Sequence, residues 1–171
     1  GAGTEHIEEA LAALLPAARI GRMDKDTTRG KALVKLLGRF RKRELDLLIG
    51  TQMVAKGHDF PGVTLVGVLN AEQGLAFPDF RAAERTFQLL TQIAGRAGRA
   101  DRPGKVLMQT HLPEHYAITH AARHDVVGFL DTEVTLRRAR SFPPAAHLAL
   151  FRIGGPSLAA VEAEASKLEA A

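Results

Sequence analysis

Residues 45–69 read LDLLIGTQMVAKGHDFPGVTLVGVL. Two apolar runs, Leu45–Ile49 and Val63–Leu69, flank a polar segment that opens at Gly50-Thr51. The runs are near-continuous rather than alternating, which is how parallel strands covered on both faces read. A third run, Val106–Gln109, follows the turn signal Arg102-Pro103-Gly104. Arg19–Met23 is a shorter fourth. Between these runs the periodicity is helical. Ile7, Leu11, Leu14 and Leu15 share one face of a segment ended by Pro16. Leu33, Leu36, Leu37 and Phe40 line a second helix, for which Asp24–Thr28 offers capping side chains. Phe80, Ala83, Phe87, Leu90 and Ala94 line a long third helix over 79–97. Strands alternating with helices predict an α/β domain with a doubly wound parallel sheet.

The pattern changes after His115. Two helical segments follow, the second ending in basic residues near Arg140. Ser141-Phe142-Pro143-Pro144 is a firm break. Leu148–Ile153 reads as a strand, and Gly154-Gly155-Pro156 leads into an Ala- and Glu-rich helix. We therefore expect a first domain over 1–115, then linking helices and the beginning of a small α+β domain over 116–171.

The chain has 171 residues, 46% hydrophobic and 25% charged, the balance of a globular protein with a sizeable core. Its formal charge of +4 permits phosphate contact without establishing it. The basic runs Arg39-Phe40-Arg41-Lys42-Arg43 and Arg137-Arg138-Ala139-Arg140 read first as solvated helix faces. With no cysteine, disulfides and thiolate metal sites are impossible within the chain. His120 and His124 have helical metal-pair spacing but no third ligand nearby, and no metal site is expected. No apolar run is long enough to span a bilayer, and no signal peptide is recognisable. A start without Met suggests an excised or tagged segment.

Two segments carry polar groups that a core would not need. Gly50–Phe60 follows a strand directly. Its Thr51 offers a hydroxyl and an N–H to phosphate, Gly50 and Gly57 allow close backbone approach, and Asp59 can accept from a ribose hydroxyl. The other segment is Gln92-Ile93-Ala94-Gly95-Arg96-Ala97-Gly98-Arg99. Arg96 and Arg99 lie three apart, on one face near a helix end. Glycine costs a helix roughly 1 kcal/mol against Ala, so two of them there need a reason. Close packing against another domain, with arginines projecting to a polyphosphate, supplies one. The planar, permanently charged guanidinium binds phosphate oxygens bidentately. Both segments are expected beyond the carboxyl ends of strands, where open parallel sheets bind ligands.

Gln92–Arg99 resembles motif VI of superfamily-two helicases, and Gly50–Phe60 resembles their motif V. The longer run GTQMVAKGHDFPGVTLVGVLNAEQGLAFPDFRAAERTFQLLTQIAGRAGRADRPGKVLMQTHLPEH narrows the likeness to the second helicase lobe of the PriA family of replication-restart helicases. RMDKDTTRGK and RRARSFPPAAHLALFRIGG extend it over nearly the whole chain. The resemblance implies a RecA-like lobe in an ATP-dependent 3′-to-5′ DNA helicase that acts in replication restart and primosome assembly. Arg96 and Arg99 would reach the ATP γ-phosphate, with Gln92 as a coupling residue. Gly57 and Asp59 would lie near the ribose. Thr51, Gln52 and Lys56 would face the DNA backbone. ATP and Mg²⁺ would be shared with a first lobe, because no GxxxxGK[ST] loop occurs in this chain. Alone, the chain is therefore expected to be inactive. Zn²⁺ is implied for the full-length family but not for these residues. Forked and single-stranded DNA, single-stranded DNA-binding protein and other primosome proteins are the implied partners, in a bacterial cytoplasm beside the nucleoid. His111 and His115 fall in the family's QTH-PEH pattern and are read as structural. Asn70 stands where the resemblance leads us to expect Asp. A non-catalytic scaffold that binds fork DNA with the same lobe is the competing reading.

Overall fold

In the computed structural model the described residues are 3–23, 30–51, 60, 62–95 and 104–169. Helix α1 (Thr4–Leu14) leads into β1 (Ile20–Met23), then α2 (Lys31–Arg41) and β2 (Leu47–Gly50). After β3 (Leu65–Val68) come a 3-10 turn over Gln73–Ala76 and α3 (Ala82–Ala94), followed by β4 (Lys105–Met108). Helices α4 (Tyr116–Ala122), α5 (Val126–Ala139) and α6 (Leu158–Glu169) complete the chain. The four strands expected within 1–115 are present. They form two parallel pairs, β1 with β2 and β3 with β4, Ile20 facing Leu47 and Leu65 facing Lys105. Among the described residues no helix is long and apolar enough to cross a membrane.

The first pair packs as its sequence dictates. Met23, Leu45 and Ile49 are buried, as is Leu37 on α2. A β-carbon on Gly21 would stand 2.7 Å from Leu45 Cδ1 and 3.1 Å from Leu36 Cδ1, so the missing side chain lets α2 lie close. Helix α2 starts after Gly30, at φ 56°, without a side-chain cap; the cap expected from Asp24–Thr28 falls in residues outside those described. On α1 the expected inner face is only half right. Ile7 and Leu11 are half-buried, but Leu14 is 74% exposed.

Arg19 clamps the entry of this pair. Its Nη2 donates to Asp46 Oδ1 at 2.8 Å and to the Arg43 carbonyl, while its backbone N–H donates to Asp46 Oδ2. Hydrogen bonds from the Arg19 side chain, then from its backbone, hold the Asp46 carboxyl well below the usual carboxylate range. A depressed folded pKa means stabilisation that is present above the unfolded value and lost as pH falls. The unfolded value is about 3.9. Wild-type chain should therefore melt above Asp46→Asn at pH 7, with the gap closing from about pH 4 downward. Melting curves across that range check it, and a gap independent of pH would contradict the clamp.

The second pair departs from the expected two-sided burial. Val68 and Met108 pack against a core of Ala71, Phe87, Leu90, Ala117, Ile118, Ala121 and Phe129. On the other face Leu65 is 57% and Leu107 61% exposed. The physical reason is coverage: α3 and α4 shield one face, and among the described residues nothing comparable shields the other. Ala117 and Ala121 are fully buried one turn apart, and their small side chains let α3 and α4 approach closely. Asp125 caps α5 by accepting from Gly128 N–H at 2.9 Å, and its other oxygen meets His120 Nδ1 at 2.9 Å. His120 is thus a hydrogen-bond partner of the capping Asp125, and His115 caps α4, its Nδ1 accepting from Ala117 N–H.

The chain divides into two units, residues 1–131 and 132–171. In the second, Glu133 is buried and pairs with Arg137 Nε at 2.7 Å. Arg137 Nη1 also donates to the Pro143 carbonyl, tying the helix end to the proline break. Leu148–Ile153, read as a strand, is irregular, with Leu150 90% and Phe151 70% exposed. A strand needs a hydrogen-bonding neighbour, and no described segment pairs with this one. Helix α6 forms as expected but buries no residue.

Candidate nucleotide and nucleic-acid interface

Parallel pairing gives each pair an entry and an exit edge. At the exit of the first pair Met23 faces Gly50, and Thr51 follows, exposed. Thr51 therefore stands where the strand-exit rule puts a ligand contact. Gln52, Lys56, Gly57 and Asp59 lie outside the described residues. At the far side of that segment Phe60 packs edge-on against Phe40, with centroids 5.1 Å apart, and the Arg41 guanidinium lies 6.0 Å from its ring centre. The end of the motif V segment is thus seated on α2.

The exit of the second pair holds a polar cluster that sequence reading missed. Asn70 has φ 51°, a left-handed conformation that Asn adopts more readily than most residues. The chain then crosses to β4, with Ala71 N–H donating to the Gln109 carbonyl. Glu72 Oε1 accepts from His111 N–H at 3.3 Å, and the Thr110 hydroxyl also reaches the carboxylate. Glu72 Oε2 is buried without a hydrogen-bond partner. The carboxyl is held below its ordinary value by its own backbone N–H first, then by the Thr110 hydroxyl and His111 N–H. This carboxylate ties the exits of β3 and β4 together. The signal was an acid two residues beyond Asn70, but nothing in the sequence set it against Thr110.

Asp79 organises the start of α3. It accepts from Arg81 N–H at 2.9 Å and pairs with Arg85 Nη1 at 2.9 Å. The DFRAAER run thus builds a helix entrance. Phe87 and Leu90 anchor α3 in the core, while Gln92 is exposed in its last turn and Gly95 follows as the C-cap. Arg96 and Arg99 lie outside the described residues.

Of the segment expected beyond a strand exit, Gln92–Gly95 are placed elsewhere, while Arg96–Arg99 lie outside the described residues. A helix joining two adjacent parallel strands must run back from exit to entry. Gly74, near the exit, lies against Thr86 in the first half of α3. Ala94, at its end, lines a hollow that runs along β4 from Gly104 to Thr110. Gln92 is consequently near the entry edge of its pair, whereas Thr51 is at the exit edge of its own. Each candidate contact is thus placed within its own strand pair.

Comparison with known proteins identifies the family. Residues 3–101 match the family described as "Helicase conserved C-terminal domain". The chain is 50% identical over 169 residues to Replication restart protein PriA of Bacillus subtilis (strain 168), covering 98% of this chain and 21% of that protein. It is 50% identical over 148 residues to the protein of that name from Chlamydia trachomatis, covering 84% and 19%. The Synechocystis relative is 45% identical over 163 residues, covering 95% and 20%. The chain thus spans about a fifth of the length of the curated relatives it matches. Its parallel strands and returning helices are those of an α/β lobe of the RecA-like type. Matched over more than half its length, the chain belongs to the helicase conserved C-terminal domain family.

Proposed function

We propose that this chain is the second motor lobe of an ATP-dependent DNA helicase that acts in replication restart. The exposure of Thr51 at a strand exit and of Gln92 in the last turn of α3, on two different elements, supports the reading, because a translocating lobe needs one contact for nucleic acid and another for nucleotide. Thr51, with Gln52 and Lys56, contacts the DNA backbone. Gly57 and Asp59 approach the ribose. Gln92 is exposed in the last turn of α3 and Gly95 adds no side chain beyond it, so the end of that helix is open to a polyphosphate. ATP with Mg²⁺, held mainly by a partner lobe, supplies the phosphoryl group. Arg96 and Arg99 orient its terminal oxygens and stabilise the charge that builds on them. The chain's own contribution is positioning.

By the same reading the lobe covers 1–115, and 116–171 lead into a further domain. The whole protein moves 3′ to 5′ on forked and single-stranded DNA, works with single-stranded DNA-binding protein and primosome components beside the nucleoid, and holds Zn²⁺ through residues outside this chain.

Contacts of this kind are to the backbone, so binding should be indifferent to sequence and fall steeply with salt. Titration of the chain against labelled oligonucleotides at low salt should show weak binding, unchanged between scrambled sequences and reduced several-fold by Thr51→Ala. Strong preference for one sequence would overturn the backbone contact.

A further inference from the structure

Six cations and no carboxylate fall within Lys31–Arg43. The formal surplus of the chain is only +4, so without these six the remainder would be net negative. The positive charge is concentrated on one element. Along α2, Lys31, Lys35 and Arg39 recur every four residues, and Lys42 at the C-cap continues the same stripe. All four are exposed, because Leu33, Leu36, Leu37 and Phe40 turn the opposite face inward. Lys31, Lys35 and Lys42 form no ion pair among the described residues, and Arg39 has only an exposed contact of 3.6 Å with Glu44.

This arrangement works against the helix that bears it. Like charges four apart repel. Lys31 occupies the first turn, where the helix dipole disfavours a cation and no acidic residue offsets it. A surface helix selected only for solubility would interleave carboxylates. An anionic partner along the stripe removes both penalties.

The stripe also continues from the candidate DNA contact. Helix α2 follows the exit of β1, and Thr51 follows the exit of β2, its parallel neighbour, so Lys31 begins at the edge that presents Thr51. Toward the other end, Arg41 lies over Phe60, which closes the motif V segment. Lys31, Lys35 and Arg39 are spaced about 6 Å apart along the helix, and Lys42 follows about 4.5 Å further on. The first spacing is close to two steps of about 3.4 Å along one strand of a duplex. We propose that the outer face of α2 is a phosphate track for a duplex DNA arm, continuous with the contact at Thr51. This rests on the reading of the chain as a nucleic-acid motor lobe.

The test compares three forms of the chain by fluorescence anisotropy on a labelled duplex of about 30 base pairs across a salt series. One is wild type. One carries Lys31→Gln, Lys35→Gln and Lys42→Gln. The third carries Lys105→Gln, Arg123→Gln and Arg152→Gln, an equal charge loss away from α2. The track predicts that the α2 triple binds at least tenfold more weakly at low salt. Its slope of log K against log salt should be shallower by about 2–3, near 0.9 per lost phosphate contact. The melting temperature should be unchanged or raised, since repulsion is relieved, and the control triple should stay near wild type. Equal losses in both triples, or an α2 triple that binds like wild type, would overturn the track. In the latter case a loss on Thr51→Ala would leave the motor-lobe reading standing. No duplex or single-strand binding by wild type at low salt would remove both.

Discussion

Arg99→Ala is expected to lower ATP turnover by on the order of 10³-fold in a protein that joins this lobe to an ATP-binding lobe. Arg96→Ala should act in the same direction. The basis is the GRAGR run that follows the exposed Gln92 and the Gly95 C-cap at the end of α3. Phe87 and Leu90 anchor that helix in the core, which fixes the direction in which its end projects. ATP binding should weaken only moderately, because the partner lobe supplies most phosphate contacts. Arg99→Lys should restore little, since a point charge does not reproduce the two-pronged guanidinium. DNA binding without nucleotide should be nearly unchanged, because the proposed DNA contact at Thr51 follows β2 whereas the arginines follow α3. Steady-state ATPase with DNA present, paired with thermal melting, decides it. Near-normal turnover in a folded Arg99→Ala protein would remove the arginine-finger role.

Phe129→Ala should cost about 3–5 kcal/mol of folding stability. Phe129 is 1% exposed and stacks on Phe87, with ring centroids 3.9 Å apart, and on Tyr116 at 5.8 Å. Removing it opens a cavity between α3, α4 and α5 and ends both ring contacts. The backbone there is pinned by the Asp125 cap and by the close approach of Ala117 and Ala121, so collapse into the space is restricted. Urea unfolding of the chain measures the loss, and a change under about 1 kcal/mol would mean that this core is loosely packed.

The strands and most helices were legible because burial leaves a period in the sequence. Leu37, Phe87, Leu90 and Ala94 were placed in the core by helical spacing alone, and each is buried. Thr86, buried at 3%, escaped that reading because a polar residue gives no hydrophobic signal. Leu65 and Leu107 misled for the opposite reason: apolar character marks a residue as buriable, while coverage depends on which helices arrive. Leu148–Ile153 had strand composition, but pairing is a tertiary property that composition does not carry. Among site residues, Thr51 could be placed from the order of strand and glycine. The entry-edge position of Gln92 required the sense of β3 and β4, which fixes where the helix between them must end. The carboxylate clasp of Glu72 on Thr110 and His111 joins residues about forty positions apart, a separation at which local pattern is silent.

On the proposed reading, this lobe completes a nucleotide site that it cannot form alone. The most direct test is magnesium- and DNA-dependent ATP hydrolysis, measured for this chain by itself and for a protein in which it is joined to its ATP-binding lobe. The predicted result is no turnover by the chain alone and DNA-stimulated turnover by the joined protein. Turnover by the pure chain, or none by the folded joined protein, would contradict it.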